Sequence, residues 1–476
     1  MIIKYTRHSD LIQKTLSDIG NVYPQVINIV KDIDVHSGRA LLVGGAVRDM
    51  FLGLSVKDYD IEVYGLTINQ LQNILKKYGH VRLVGKSFGV LKIDGLAIDW
   101  SLPRTDAAGR KPEVFIDPYM SVRDALLRRD LTINAMAIDC ISGDLEDPFN
   151  GLKDLQDGCL RVSDAALFVE DPLRYFRVMQ FIARFCMKPD QQLYEIGKTM
   201  LLDDISHDRI IQEFYKLAVQ GKKPSWGIQW LYDTGRLKTI LPEIHALVGL
   251  EQDAIWHPEG DVFEHSKQAM DSAALITTYS SNKDRLIMVF ASLCHDVGKV
   301  VATQHVDGRI RSFGHDVKGV NIASELLDRM TDCMHVKETI LKLIRYHMTP
   351  VALIKNNAGA AAYKRLASKL APNTYNAQLA QLACCDKSGR NPDKGSPLLQ
   401  CPEPLLNNFI EQAQTHGVLY APEEPLLQGR DFLDVVRPGK LIGLLVDQAY
   451  DMQIEKNISD KEHLKTMVLD RVKELI

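Results

Sequence analysis

The feature that most constrains this chain is a change of texture near residue 150. From Ala40 onward, short β-rich runs (ALLVGG, DYDIEVYG, HVRLVG, GVLKID, LAIDWSL) alternate with helical ones (AVRDMFLG, TINQLQNILKKYG), and glycines stand at the junctions. That alternation is what a mixed α and β domain requires. Beyond DPFNGLKDL strands become scarce, and helical patterns run to the end, punctuated by Pro224, Pro242, Pro258, Pro350, Pro372 and the 392–404 stretch. The pattern predicts an α+β protein: a small mixed domain with an antiparallel-rich sheet, then a mostly α-helical body. Leu11, Ile12, Leu16, Ile19, Val22, Val26, Ile27 and Val30 recur at near-helical spacing and predict a helical lead-in over residues 1–38.

With 476 residues the chain is too long for one core and long enough for three or four domains of about 100–200 residues each. Lysine plus arginine number 57 and aspartate plus glutamate 61, a net charge of −4 that excludes a histone-like class and leaves room for a local basic face. A hydrophobic share of 46% with 25% charged residues excludes a disordered chain. The longest apolar stretches, Leu41–Val43 and Leu441–Val446, are far too short to cross a membrane. The N-terminus lacks the pattern of a secretory signal. Eight cysteines without a CxxC pair point to a reducing compartment, read here as the cytoplasm.

In VKDYDIEVYG, Asp58 and Asp60 fall on alternate positions of a strand-like run and so project to one face. Like charges that close are costly unless a cation joins them, and hard oxygen ligands suit Mg²⁺. A third carboxylate, Asp99, lies in the strand-like LAIDWSLP. Three carboxylates can hold two ions for in-line displacement at phosphorus; a DxD pair alone is as well explained by a solvated strand edge. Upstream, Gly44 and Gly45 follow a strand and open a helical run, where backbone N–H groups can approach phosphates, with Arg48 and Asp49 in the first turn. A plain strand-to-helix turn accounts for the glycines too.

The ordered set LLVGGAVRD, DYD, LAIDWSLPR, RRDLTINAMA (Arg128–Ala137), DPFNGLKDL (Asp147–Leu155) and FVEDPLRYFRVMQFIARF (Phe168–Phe185) resembles the class II nucleotidyltransferases. These are the bacterial-type CCA-adding tRNA nucleotidyltransferases and related poly(A) polymerases. The resemblance spans about residues 40–245. It implies that Asp58 and Asp60 hold Mg²⁺ and that Asp99 aids deprotonation of the primer 3′-OH. It also implies that Arg129 and Asp130 recognise the ribose, and that Asp171 and Arg174 form a protein template for the edges of C and A. Gly44, Gly45, Arg48, Asp49, Arg104, Arg128 and Arg177 would complete the nucleotide-binding set. From the residues alone, Asp130 also reads as a helix cap and Asp171/Arg174 as a surface i,i+3 ion pair. The polar stretch Arg104–Val122 looks like the flexible loop of full CCA adders. His207–Asp208 before Arg209, and Met179–Gln180, depart from the usual family residues.

In the helical part His265, His295, Asp296, His315, His347 and Asp386 occur in an order that resembles the HD phosphohydrolase superfamily. Nitrogen plus carboxylate ligands suit divalent transition metals, and Mg²⁺ is the other candidate. The resemblance covers about residues 250–390 and implies hydrolysis of phosphate esters, including 2′,3′-cyclic phosphates and 2′-phosphates. His257 and Asp316 are candidates for supporting that set; His8, His36, His80, His245 and His416 read as structural.

The expected organisation is thus a helical extension (1–38), a catalytic head (39–150), a helical neck with the nucleobase template (151–245), an HD domain (246–395) and a helical tail (396–476). Six basic against three acidic side chains between Ile205 and Ile240 suggest a phosphate-backbone track for tRNA. The leading reading is a CCA-adding enzyme using CTP and ATP, with a second, hydrolytic centre. A poly(A) polymerase or a split A- or CC-adding enzyme shares the head motifs. An RNA-binding regulator with an inactive head, and an HD hydrolase with a nucleotide-sensing head, are the alternatives of other classes.

Overall fold

The computed structural model describes residues 8–56, 58–84, 89–106, 114–401, 404–437 and 439–473. The chain divides into two compact units, residues 1–213 with 233–235 and residues 214–232 with 236–476. The divisions read at residues 38 and 150 lie inside the first unit, and that at 395 inside the second.

The first unit opens with helices α1 (His8–Val22) and α2 (Pro24–Val35). Ile12, Ile19, Val26 and Val30 are buried, as the spacing predicts; Ile29 and Ile33, outside that stripe, are buried too, whereas Val22 and Ile27 are exposed. Pro24 starts a new helix at its first turn, so a stripe read straight through both helices slips there.

Strand β1 (Arg39–Val43) leads through a glycine turn into α3 (Gly45–Phe51), then β2 (Tyr59–Tyr64) and α4 (Ile68–Leu75). Thr67 and Gln70 close a reciprocal capping box on α4, fixing where the helix begins. Next come β3 (Val81–Val84), β4 (Val90–Ile93), β5 (Ile98–Ser101), β6 (Ala137–Asp139) and β7 (Leu145–Glu146). The sheet order is β3-β4-β5-β2-β1-β6-β7. Only β2 and β5 pair in parallel; the other neighbours are antiparallel. The almost uninterrupted apolar run Ala40–Val43 is buried on both faces, which puts β1 near the centre of the sheet.

After β5, Arg104–Asp106 and Val114–Ile116 pair as an antiparallel hairpin stem. Its connection, residues 107–113, lies outside the described residues, and so does the tip of the stretch read as a flexible loop. Residues 147–151 show why DPFNG reads as a unit. Asp147 accepts from the backbone N–H groups of Gly151 and Leu152 at 2.6 and 3.0 Å, capping the following helix. A Cβ on Gly151 would lie 2.2 Å from the Thr132 carbonyl oxygen, so glycine alone lets that helix approach the RRD segment. From there the unit is mostly helical, with one short parallel pairing of Cys159–Leu160 with Lys188–Pro189. Its main helices are α5 (Leu173–Phe185) and α6 (His207–Gln220), the latter continuing beyond its boundary.

Among the described residues the second unit is helical apart from one hairpin, Thr303–Val306 with Arg309–Ser312. Its main helices are α7 (Val262–Leu275), α8 (Asn282–Cys294), α9 (His315–Leu327), α10 (Met334–Tyr346) and α11 (Asn376–Ser388). The tail adds a small cluster of its own, in which Leu427, Phe432, Leu445, Ala449, Met452, Leu464 and Val468 are buried together.

Between α8 and α9, Gly298 allows a backbone approach that no other residue permits. A Cβ there would stand 1.9 Å from the His315 carbonyl oxygen and 2.6 Å from the Gly319 nitrogen. Neither atom belongs to a flexible side chain. Gly298→Ala is therefore expected to destabilise the second unit by about 2–3 kcal/mol, read as a lowered denaturation midpoint of that unit's transition.

Candidate active sites

In the first unit, the parallel pairing of β2 with β5 sets Asp60 directly opposite Asp99. Asp58 sits just before β2, and both Asp58 and Asp60 are exposed. The Asp60 carboxyl is pushed above its ordinary value, chiefly by partial desolvation, then by the like charges of Asp99 and Asp58, against the pull of Arg129 and Lys92. Lys92 on β4, in register with Asp99, holds it at 2.7 Å. A strand edge carrying that much unbalanced negative charge favours a cation.

Gly44 has φ +72°, and a Cβ there would lie 2.4 Å from Arg129 Nη1, so glycine is needed both for the turn and for the guanidinium beside it. Arg129 Nη2 is 4.0 Å from the buried Glu62, which accepts from the Tyr64 hydroxyl. Gly44, Gly45, Arg129 and Asp60 thus gather at the open end of β1 and β2.

Arg48 and Asp49, read as facing phosphates, are placed differently. Arg48 is 5% exposed, bonds Asp49 and the Asn134 side-chain oxygen, and lies against the rings of Phe181 and Phe185. Arg184 takes the other oxygen of Asp49 at 3.1 Å. Asn134 in turn donates to Asp130 at 2.8 Å, and Arg177 reaches the second Asp130 oxygen at 2.7 Å. One buried chain of charge-assisted bonds therefore joins α3, the RRD segment and α5. Burial works to raise the Asp130 pKa, yet Arg177 and Asn134 overcome it and hold the carboxyl at about 2.

Asp171 and Arg174 do not pair with each other. Asp171 precedes α5, accepts from Leu173 N and meets Arg209 of α6 at 3.3 Å. The Arg174 guanidinium is spread over the carbonyl oxygens of Leu167 and Arg128, at 2.7 and 2.6 Å. The i,i+3 surface pair is absent because Asp171 lies outside the helix, and α5 begins only at Leu173. Arg104 opens the hairpin stem, and Arg128 closes the short helix Val122–Leu127.

The second site is a buried cluster. His265 comes from within α7, His295 and Asp296 follow the last residue of α8, His315 opens α9, His347 follows α10, and Asp386 lies near the end of α11. All six are buried. His265 Nε2 is 3.2 Å from His295 Nε2 and 3.3 Å from Asp386. His315 Nε2 is 3.1 Å from His347 Nε2. Asp296 joins the two groups: Oδ2 lies 3.5 and 3.4 Å from His265 and His295, and Oδ1 lies 3.1 and 3.8 Å from His315 and His347.

The ring nitrogens follow from their partners. His295, His315 and His347 each place Nδ1 within 2.8 Å of the backbone carbonyl three residues earlier. His265 places Nδ1 2.7 Å from Glu259, which also meets His257 at 2.9 Å. An acceptor at Nδ1 puts the proton there and leaves the Nε2 lone pair facing inward. Facing lone pairs at about 3 Å repel unless a proton or a metal ion lies between them. The donor set of imidazole nitrogens and carboxylates around a shared Asp296 therefore fits divalent ions. Burial, then the neighbouring His315 and His295, pushes His347 down to about 3, the neutral form that ligates. Asp296 and Asp386 stay well below the carboxylate range despite burial, through Lys299 and Arg390 respectively among their cationic neighbours.

Several supporting residues carry little sequence signal: Glu62, Lys92, Arg184, Glu259 and Arg390. Lys299 is legible as the fifth residue of HDVGK, one turn from Asp296, and it bonds that carboxylate at 2.6 Å. His257 was singled out from its neighbourhood and does stand beside Glu259. Among the six basic residues of 205–240, Arg209 is engaged by Asp171, and Lys223 by Gly395 O and Ser396 Oγ.

A head of this topology joined to a helical His/Asp cluster defines a nucleotidyltransferase carrying an HD domain. Residues 40–161 match the Poly A polymerase head domain and residues 262–385 the HD domain. The chain is 34% identical over 408 residues to the "Multifunctional CCA protein" of Hahella chejuensis, covering 82% of this chain and 90% of that one. It is 33% identical over 378 residues to the Xanthomonas campestris protein of the same name, covering 77% and 88%. The chain belongs to the multifunctional CCA protein family. Its fold is similar to the Thermotoga maritima CCA-adding enzyme complexed with tRNA, with TM-score 0.58, 19% identity and coverage of 98% and 99%. It is likewise similar to the Bacillus stearothermophilus CCA-adding enzyme in complex with CTP, with TM-score 0.61, 19% identity and coverage of 95% and 98%.

The Asp130 pKa gives a signed prediction. A carboxylate held near 2 in the fold and near 3.8 when unfolded stabilises the fold above pH 4 by about 2 kcal/mol, a contribution lost as pH falls from about 4 toward 2. Asp130→Asn should therefore be less stable than the parent at pH 7 by at least that amount. The gap in denaturation free energy should narrow as the two are compared at progressively lower pH.

Proposed function

We propose that this enzyme completes tRNA 3′ ends with CCA from CTP and ATP at its head, and hydrolyses phosphate esters at its HD centre. The observation that carries the first reading is the in-register Asp60 and Asp99 beside the Gly44 turn and Arg129, in a chain of this family. Asp58, Asp60 and Asp99 would hold Mg²⁺; the six HD residues would hold a divalent transition metal or Mg²⁺. When bound, such ions neutralise charge developing on phosphorus oxygens.

The protein's own groups do the rest. Asp99 accepts the proton of the primer 3′-OH, and Lys92 keeps that carboxylate aimed. Arg129, set against Gly44, meets the triphosphate. Asp130 retains one acceptor site on Oδ2 for the ribose 2′-OH. Asp171 and Arg174, steadied by Arg209, Leu167 O and Arg128 O, present acceptors and donors to the base edge. Arg48, Asp49 and Arg177 act through the buried chain of bonds that fixes the RRD segment. At the HD centre the four histidines and two aspartates would hold the ions that bind the phosphate ester and supply the attacking water, with 2′,3′-cyclic phosphates and 2′-phosphates as substrates. Eight cysteines without a CxxC pair accord with a cytoplasmic setting, and no described helix is long and apolar enough to cross a membrane.

Two variants separate the centres. Asp60→Ala should reduce nucleotide addition by at least 1,000-fold, roughly 4 kcal/mol of transition-state stabilisation, and leave hydrolysis of a 2′,3′-cyclic nucleotide near the parent rate. Asp296→Ala should do the reverse. Addition is scored on tRNA transcripts lacking CCA, CA or A, with CTP, ATP or both. Three ordered additions confined to tRNA support the reading; ATP-only tailing of any RNA means a poly(A) polymerase. Loss of both activities from either change overturns the two-site assignment.

A further inference from the structure

The turn that precedes α7 is tied to the HD cluster at two points and to the Thr303–Ser312 hairpin at a third, yet it holds its two largest apolar side chains out in water. Gln252 accepts from Lys299 at 2.6 Å, and Lys299 bonds Asp296. His257 reaches Glu259, which carries His265. Asp253 accepts from Ile255 N, Trp256 N bonds the Asp253 carbonyl, and the Asp253 carboxylate takes Arg309 at 2.8 Å. Between these anchors Ile255 is 77% and Trp256 55% exposed. Single exposed apolar residues are ordinary on mobile loops. A tryptophan presented by a turn bonded this firmly to a buried phosphoester centre calls for another account.

Across from it stands the Thr303–Ser312 hairpin. Its register pairs Gln304 with Arg311 and Val306 with Arg309. Alternate residues share a face, so Arg309 and Arg311 project together. Arg309 grips Asp253, and Arg311 lies within electrostatic reach of the same carboxylate. The face that carries both guanidinium groups is therefore the face toward the Trp256 turn. The hairpin ends at Ser312, whose carbonyl fixes His315, and the exposed Phe313 lies between them. An aromatic side chain and a cation thus stand on two segments that the Asp253–Arg309 pair ties together, and each segment is bonded to a different half of the cluster.

Resting on the phosphohydrolase reading above, we infer that Trp256 and Arg311 form the substrate lip of the HD centre, which takes the terminal nucleotide of an RNA. The base stacks on Trp256, and Arg311 meets the phosphate-bearing backbone. Stacking accepts any base because each has a π face. Arginine supplies the planar cation that phosphate oxygens favour. The occupant is consequently a nucleotide ester rather than a bare phosphomonoester.

The test compares full-length, metal-loaded parent with Trp256→Ala, Trp256→Phe and Arg311→Ala. The substrates are adenosine 2′,3′-cyclic phosphate and base-free glycerol 1,2-cyclic phosphate. Trp256→Ala should lower the ratio of kcat/KM for the adenosine ester over the glycerol ester about 10-fold, through KM, and Trp256→Phe should restore most of it. Arg311→Ala should raise KM for both esters. Metal content by mass spectrometry, equal in all four proteins, separates binding from damage to the cluster. An unchanged ratio in Trp256→Ala, or equal loss on both esters, overturns the inference. If the parent hydrolyses neither ester, the phosphohydrolase reading itself fails, and the inference falls with it.

Discussion

A carboxylate removed from water has to be paired, and each unit is arranged around one that is. In the first unit it is Asp130, met by Arg177 and Asn134 and linked through Arg48 and Asp49 to Arg184. In the second it is Asp296, met by Lys299 and by histidines on either side. Neither residue tolerates loss of its partners, since an unpaired buried charge costs several kcal/mol. The helices that supply those partners are fixed in consequence. α3, α5 and the RRD segment are held by one polar chain, and Arg129, within that segment, inherits its position from it, while Asp60 is placed by the pairing of β2 with β1 and β5.

This division of labour explains why some motif residues are buried. Arg48 and Asp49 lie in a run that reads as a phosphate turn, and the glycines of that run do stand at the open end of the sheet. The two charged residues point the other way, onto the aromatic rings of α5. The seven-residue α3 buries Ala46, Val47, Met50 and Phe51 as its apolar stripe. To that packing the guanidinium of Arg48, laid against Phe181 and Phe185 and closed by Asp49, adds a charged attachment.

Much of this was legible in the chain before any coordinates. The α+β class, the helical lead-in, the strand-borne run of Asp58 and Asp60 and the ordered His/Asp set all follow from local pattern, because period and glycine placement are local properties. The break at Pro24 that makes two helices of the lead-in does not show in the stripe. Pairings across the sheet are not local. Lys92 reaches Asp99 only because β4 happens to neighbour β5 in that register, and Glu62 meets Arg129 across 67 positions of chain. The Asp171 and Arg174 pair shows the converse. Spacing suggests a helical couple, but the helix starts two residues after Asp171, and a partner from α6 takes its place. Glu259 is invisible in sequence for the same reason: nothing about HPEGD says which imidazole the carboxylate will hold.

The manner in which the HD histidines are oriented bears on how the enzyme matures. Three rings are aimed by carbonyl groups of their own chain, three residues back, and the fourth by a glutamate six residues earlier. These restraints exist as soon as the helices end where they do. Small metal-nucleated domains fold only when the ion arrives; here the lone pairs are already turned inward by backbone geometry. The aim of the four rings is therefore set by contacts spanning three to six residues of chain, so the ion meets donors already turned toward it instead of having to gather them from free rotation.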